Sequence, residues 1–115
     1  MLWGRRGLGW LLQAVTGVLL VLFVGAHIVR VHLEGSYKGL PTYRDVLAAF
    51  KNPLLVAAEL ALSLSVIYHA MYGLYMVAIE AGLLGERRAK AVFTAIGIVL
   101  AAYTLAVTVY LALKP

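Results

Sequence analysis

The chain has no cysteine, which excludes a disulfide framework, iron–sulfur ligation by this chain, covalent c-type haem attachment and thiol chemistry. Charge is scarce as well. Of its 115 residues 13% are charged and 63% hydrophobic, whereas soluble domains carry roughly a quarter and roughly half. That balance argues against a water-soluble fold. The net charge of +5 does not point to nucleic acid, because the basic residues stand between apolar runs, where lipid head groups are their natural partners. No repeat or low-complexity segment stands out.

Three long apolar runs take the place of a soluble core. The first, about residues 11 to 31, reads LLQAVTGVLLVLFVGAHIVRV and at 1.5 Å per residue reaches roughly 31 Å, enough to cross a bilayer core. Arg5 and Arg6 precede it like the start of a secretory signal, but the run is long and lacks a small-residue cleavage site, so it is expected to be retained. The second, about 53 to 79, opens on Asn52-Pro53, a helix start in which proline loses no needed hydrogen bond. The third, about 92 to 113, contains no titratable residue except Tyr103 and Tyr110 and reads as scaffold. The expected fold is an all-α integral membrane protein of three transmembrane helices, up-down-up, forming one transmembrane domain over 1–115.

Between the first two runs, Glu34-Gly-Ser36 and Gly39-Leu-Pro41 read as turns. In the segment of about 41 to 51, Val46, Leu47 and Phe50 fall at helical spacing against Arg44, Asp45 and Lys51, which predicts a short interfacial helix. The second connection, Glu80 to Ala91, reads as a tight polar turn with Gly82, Gly85 and the basic Arg87, Arg88 and Lys90. Lysine and arginine divide evenly between the two sides. The compact clusters on the side of the N-terminus favour a cytoplasmic N-terminus.

The chemistry lies in His27 and His69, each inside an apolar run, where ionisable groups are rare and usually functional. Neutral imidazole is an axial ligand for haem iron. The alternative is a pair of interhelical hydrogen bonds from structural histidines. Around His69, one helical stripe carries Ser65, Tyr72 and Gly73. Gly73 either lets a flat macrocycle approach the backbone or serves as a small-residue helix contact. Arg30 lies about one turn from His27 towards the membrane surface, a suitable place to pair with a haem propionate.

Depth constrains how the two can act. His27 is five residues before a helix end near His32 and His69 sixteen past Pro53, which in antiparallel helices puts them roughly 8 Å and roughly 24 Å from the same surface. One iron cannot take both. If both bind haem, two haems lie at different depths and each needs a second ligand from a partner chain. Glu59 lies near the level of His27, either exchanging protons with a quinol or pairing with Arg30 or His32 at the interface. His32 can reach a propionate or quinone or simply sit at the interface. Trp10 and Gln13 are candidates for a quinone site near the first span's start, where Trp3 and Trp10 also serve as anchors.

The string His69-Ala-Met-Tyr-Gly-Leu-Tyr75, with Glu59 ten residues earlier and Asn52-Pro53-Leu54 before it, resembles the second helix of the di-haem cytochrome b anchors of succinate dehydrogenases and fumarate reductases. Thr16-Gly17 and Gly25-Ala26-His27 look like the first helix of the same superfamily, and Tyr43 to Phe50 resembles its inter-helix segment. The resemblance covers about residues 10 to 80. It implies His27 and His69 as the metal-binding axial ligands of a distal and a proximal haem b, two haems per complex, and quinone of the menaquinone type. It also implies flavoprotein and iron–sulfur partner subunits, and the inner membrane of a prokaryotic cell. Single-chain di-haem anchors carry five helices and all four ligands; this chain resembles a version split over two subunits, with a second membrane anchor completing the bundle. In single-haem, ubiquinone-linked relatives each anchor gives one histidine, which here would be His69. Rival readings are a non-redox membrane protein with structural histidines and a b-type cytochrome anchor of another respiratory enzyme.

Overall fold

The computed structural model describes residues 5–33 and 41–115, and side chains within 7–31 and 41–115. Helix α1 spans Trp10–Ile28 and is continued at both ends by wider π-type turns, Arg5–Gly9 and Val29–Leu33. Helix α2 spans Tyr43–Ala49, α3 Pro53–Glu80 and α4 Glu86–Ala112. Among the described residues, three stretches are long and apolar enough to cross a membrane: Gly7–Val31, Pro53–Glu80 and Glu86–Ala112. The longest dimension, 49 Å, exceeds the roughly 30 Å hydrocarbon thickness, so the helices emerge into the head-group layers. This is a multi-pass membrane protein.

Each helix start has a local cause. Thr42 and Asp45 form a reciprocal capping box for α2: the Asp45 amide donates to Thr42 Oγ1 at 3.3 Å and the Thr42 amide to Asp45 Oδ2 at 2.7 Å. Asn52 Oδ1 accepts from the amides of Leu54 and Leu55, with Pro53 in the first turn of α3. Helix α3 stops at Gly82, whose φ of +72° is a left-handed conformation that glycine adopts without Cβ strain. The amide of Leu83 then turns back to the Ala78 carbonyl at 3.0 Å, and that of Gly82 to Ile79 at 3.0 Å.

The second connection is therefore shorter than hydropathy implies. Only residues 81–85 join α3 to α4. Helix α4 begins at Glu86 rather than about Val92, so Arg87, Arg88 and Lys90 project, exposed, from its first turns instead of lying in a turn. Hydropathy marks where the membrane begins, whereas the helix starts where Gly85 provides an extended cap residue.

Helix α3 is central, packed on α1 along one flank and on α4 along another. Among the described residues only Ser65, Tyr75, Ala78 and Ala89 are buried. Much of the apolar surface stays open, as at Val21 (75% exposed) and Val99 (66%). Such exposure is stable only against lipid or another membrane chain.

Candidate functional site

Helices α1 and α3 run antiparallel in one register. Gln13 faces Gly73, Gly17 faces His69 and His27 faces Glu59, so each step forward on α1 is matched by an equal step back on α3. Both intramembrane histidines thus lie in the same helix–helix interface at different levels. His69 is ten residues beyond Glu59 on α3, a rise of roughly 15 Å.

At the His27 level the contacts converge on a carboxylate. Both carboxylate oxygens of Glu59 lie 3.0 Å from His27 Nδ1. Arg30 Nη2 donates to Glu59 Oε1 at 2.6 Å. The three side chains are about one third exposed, at 35% for His27, 33% for Arg30 and 27% for Glu59. Beside them opens a cavity of about 820 Å³, walled also by Asp45, Phe50, Leu60, Tyr103 and Thr104, a volume within the range that takes cofactors and small ligands. Arg30, expected from sequence beside a propionate, is here the second partner of Glu59.

At the His69 level the contacts are neutral. Nδ1 of His69 is 3.2 Å from Thr16 Oγ1, and Gln13 Nε2 donates to the His69 backbone carbonyl at 3.2 Å. A methyl on Gly17 would stand 3.4 Å from His69 Cε1, and one on Gly73 3.4 Å from Gln13 Nε2. Gly73 thus receives α1 and its glutamine. Gln13 Oε1 is buried and has no hydrogen-bond partner in the described structure. Towards the start of α1, Tyr68 donates to the Gly9 carbonyl at 3.1 Å and stacks on Tyr72 with centroids 5.8 Å apart. A Cβ at Gly9 would come within 2.8 Å of the Tyr72 ring, which explains glycine there.

Sequence reasoning placed Glu59 near the level of His27 and offered Arg30 or His32 as its interfacial partner; the structure brings His27, Arg30 and Glu59 together. Ser65 is buried on α3. Trp10 is 62% exposed and lies near the His69 end of α1. The side chain of His32 lies outside the described residues. Thr16 as partner of His69 was missed, although the register that pairs His27 with Glu59 also sets Thr16 opposite His69.

The donor set suits a tetrapyrrole better than a bare ion. Among the described residues no three His, Cys, Asp or Glu side chains cluster as a metal site. A haem iron needs from protein only its axial ligands, and one imidazole stands at each of two levels.

Fold and site together define a multi-pass membrane protein that carries two intramembrane histidines on one antiparallel helix pair. The chain belongs to the succinate dehydrogenase/fumarate reductase transmembrane subunit family, whose model matches residues 3–110. It is 33% identical over 73 residues to the succinate dehydrogenase hydrophobic membrane anchor subunit of Archaeoglobus fulgidus, a stretch covering 64% of this chain and 61% of that relative. The match thus takes in less than two thirds of the relative's length. No solved structure matches.

Proposed function

We propose that this chain is a haem b-binding membrane-anchor subunit of a succinate:quinone oxidoreductase, with His27 and His69 as axial ligands of two haems. The observation that carries the reading is the placement of two imidazoles at separate depths in one membrane-spanning interface, each engaged at Nδ1 by the opposite helix. Family membership adds the redox context.

Bound haem supplies one-electron storage between an iron–sulfur subunit and membrane quinone. The chain's own residues hold and orient. Thr16, Gln13 and Gly17 seat His69; Glu59 and Arg30 seat His27. The cavity beside Glu59 has room for a quinone ring at that membrane level, and Trp10 and Gln13 stand near the opposite level. Flavoprotein and iron–sulfur subunits are the soluble partners. A second anchor subunit gives the remaining axial ligands and covers exposed apolar flanks of α1 and α3. The assembly resides in a prokaryotic cell membrane with the N-terminus of this chain in the cytoplasm, its quinone being of the menaquinone type.

The test is the reduced-minus-oxidised spectrum of the complex purified through this chain. A b-type band accompanied by succinate- or fumarate-dependent quinone turnover is expected. A colourless but fully assembled complex would refute haem binding, and a b band without that turnover would point to another respiratory enzyme.

A further inference from the structure

The heavy atoms around the two histidines constrain where their ring protons can sit. Thr16 Oγ1 lies 2.8 Å from the Leu12 carbonyl and 3.1 Å from that of Gln13. A hydroxyl has one proton, and a threonine inside a helix gives it to a carbonyl one turn back. What Thr16 then turns towards His69 Nδ1, 3.2 Å away, is a lone pair. That contact is a hydrogen bond only when Nδ1 bears the proton. At His27 the carboxylate of Glu59, already accepting from Arg30 at 2.6 Å, has only acceptor positions to offer Nδ1 at 3.0 Å.

We propose that Thr16 and Glu59 are positioning residues that lock His69 and His27, each from the opposite helix, as the Nδ1–H tautomer, so that Nε2 of both rings carries the lone pair. An imidazole in water prefers the other tautomer, with the proton on Nε2. The fold therefore reverses that preference at both levels before any ligand arrives. Gln13, bonded to the His69 carbonyl, and Gly17, flat beneath Cε1, fix the ring's place while Thr16 fixes its proton. The two locks differ in kind. A bond to an anionic acceptor is roughly twice as strong as one to a neutral hydroxyl, so His27 is held harder than His69. The use of Nε2 as an iron ligand rests on the function proposed above; the tautomer itself does not.

The test is magic-angle-spinning NMR of the full chain with its partner subunits, ¹⁵N-labelled at histidine and prepared from cells starved of haem precursor. A His32→Gln background removes the third histidine. Protonated Nδ1 and unprotonated Nε2 are expected for both His27 and His69. Thr16→Val, which keeps the β-branched shape, should return His69 alone to the Nε2–H form, and Thr16→Ser should restore the lock. Glu59→Leu, which removes the acceptor oxygens at similar size, should release His27 alone. In haem-replete preparations, removal of either partner should lower haem affinity at its own level by about 10–100-fold. Nε2–H at His69 in the unsubstituted chain, or a tautomer unmoved by Thr16→Val, would overturn the Thr16 lock. A proton on Nε2 of His27 in the unsubstituted chain, or a tautomer unmoved by Glu59→Leu, would overturn the Glu59 lock. Correct tautomers in a complex that never acquires a b-type band would support the locks while refuting the haem reading.

Discussion

The two flanks of α3 do different work. Against α1 it sets polar side chains: His69 on Thr16 and Gln13, Glu59 on His27 and Arg30. Against α4 it sets small and apolar ones. Ala89 is fully buried and Tyr75 and Ala78 nearly so, and at Gly97 an added methyl would touch Met71 Cγ at 3.4 Å. In a membrane, association between helices comes from close packing of small residues and from interhelical hydrogen bonds. This helix assigns one device to each neighbour. The hydrogen-bonded flank gains directional control of ring orientation, and the close-packed flank gains a scaffold.

The largest effect is expected at the two histidines. His69→Ala should remove one haem and His27→Ala the other, with all three spans still inserted, because hydropathy sets insertion. Haem per complex and protease mapping of the loops check both halves. Unchanged haem stoichiometry would place the ligands elsewhere. A smaller effect is expected from Glu59→Gln, which keeps size but removes the charge facing His27. Haem at the His27 level should bind about 10–100-fold more weakly and quinone-coupled turnover should fall, while the soluble portion keeps its turnover with an artificial electron carrier. The variant would assign Glu59 to proton handling alone if haem content held and only quinone turnover fell.

On the scaffold flank, Ala89→Leu overfills a closed site and should cost about 1–3 kcal/mol, read as a lower unfolding temperature in detergent. The ¹⁵N signals of both histidines should stay in place. Movement of those signals would show that the two flanks are coupled. The least effect is expected from Gly82→Ala, where a side chain at φ +72° costs roughly 1–2 kcal/mol at a turn far from both histidines. A loss in thermal stability with an unaltered haem spectrum is the expected outcome.

Much of this division was legible in the sequence, for reasons specific to each element. Apolar length gave three spans, and alternation of Val46, Leu47 and Phe50 with charged residues gave a helix at α2. Helix rise put His27 beside Glu59 and His69 deeper. The start of α4 was misplaced because Arg87, Arg88 and Lys90 look like a loop to a hydropathy scale, yet they occupy helix positions outside the hydrocarbon. Thr16 was hidden for another reason. A hydroxyl in a run of valine and leucine has no signature of its own, and it acquires a role only once the facing helix is set in register. Gly73 shows the same limit: its room for a neighbour was evident, but the neighbour, Gln13, belongs to the other helix of the pair.

The short junction at 81–85 has a consequence for biogenesis. With so few residues between them, α3 and α4 cannot choose their directions separately; whichever way α3 enters the bilayer, α4 must return beside it. The two therefore form one hairpin, closed by Gly82, with Ala78 and Ala89 buried near the turn. Helix α1 is joined to this hairpin only through the longer stretch of residues 34–52, so the histidine sites, which need α1, rest on a contact that chain connectivity does not impose.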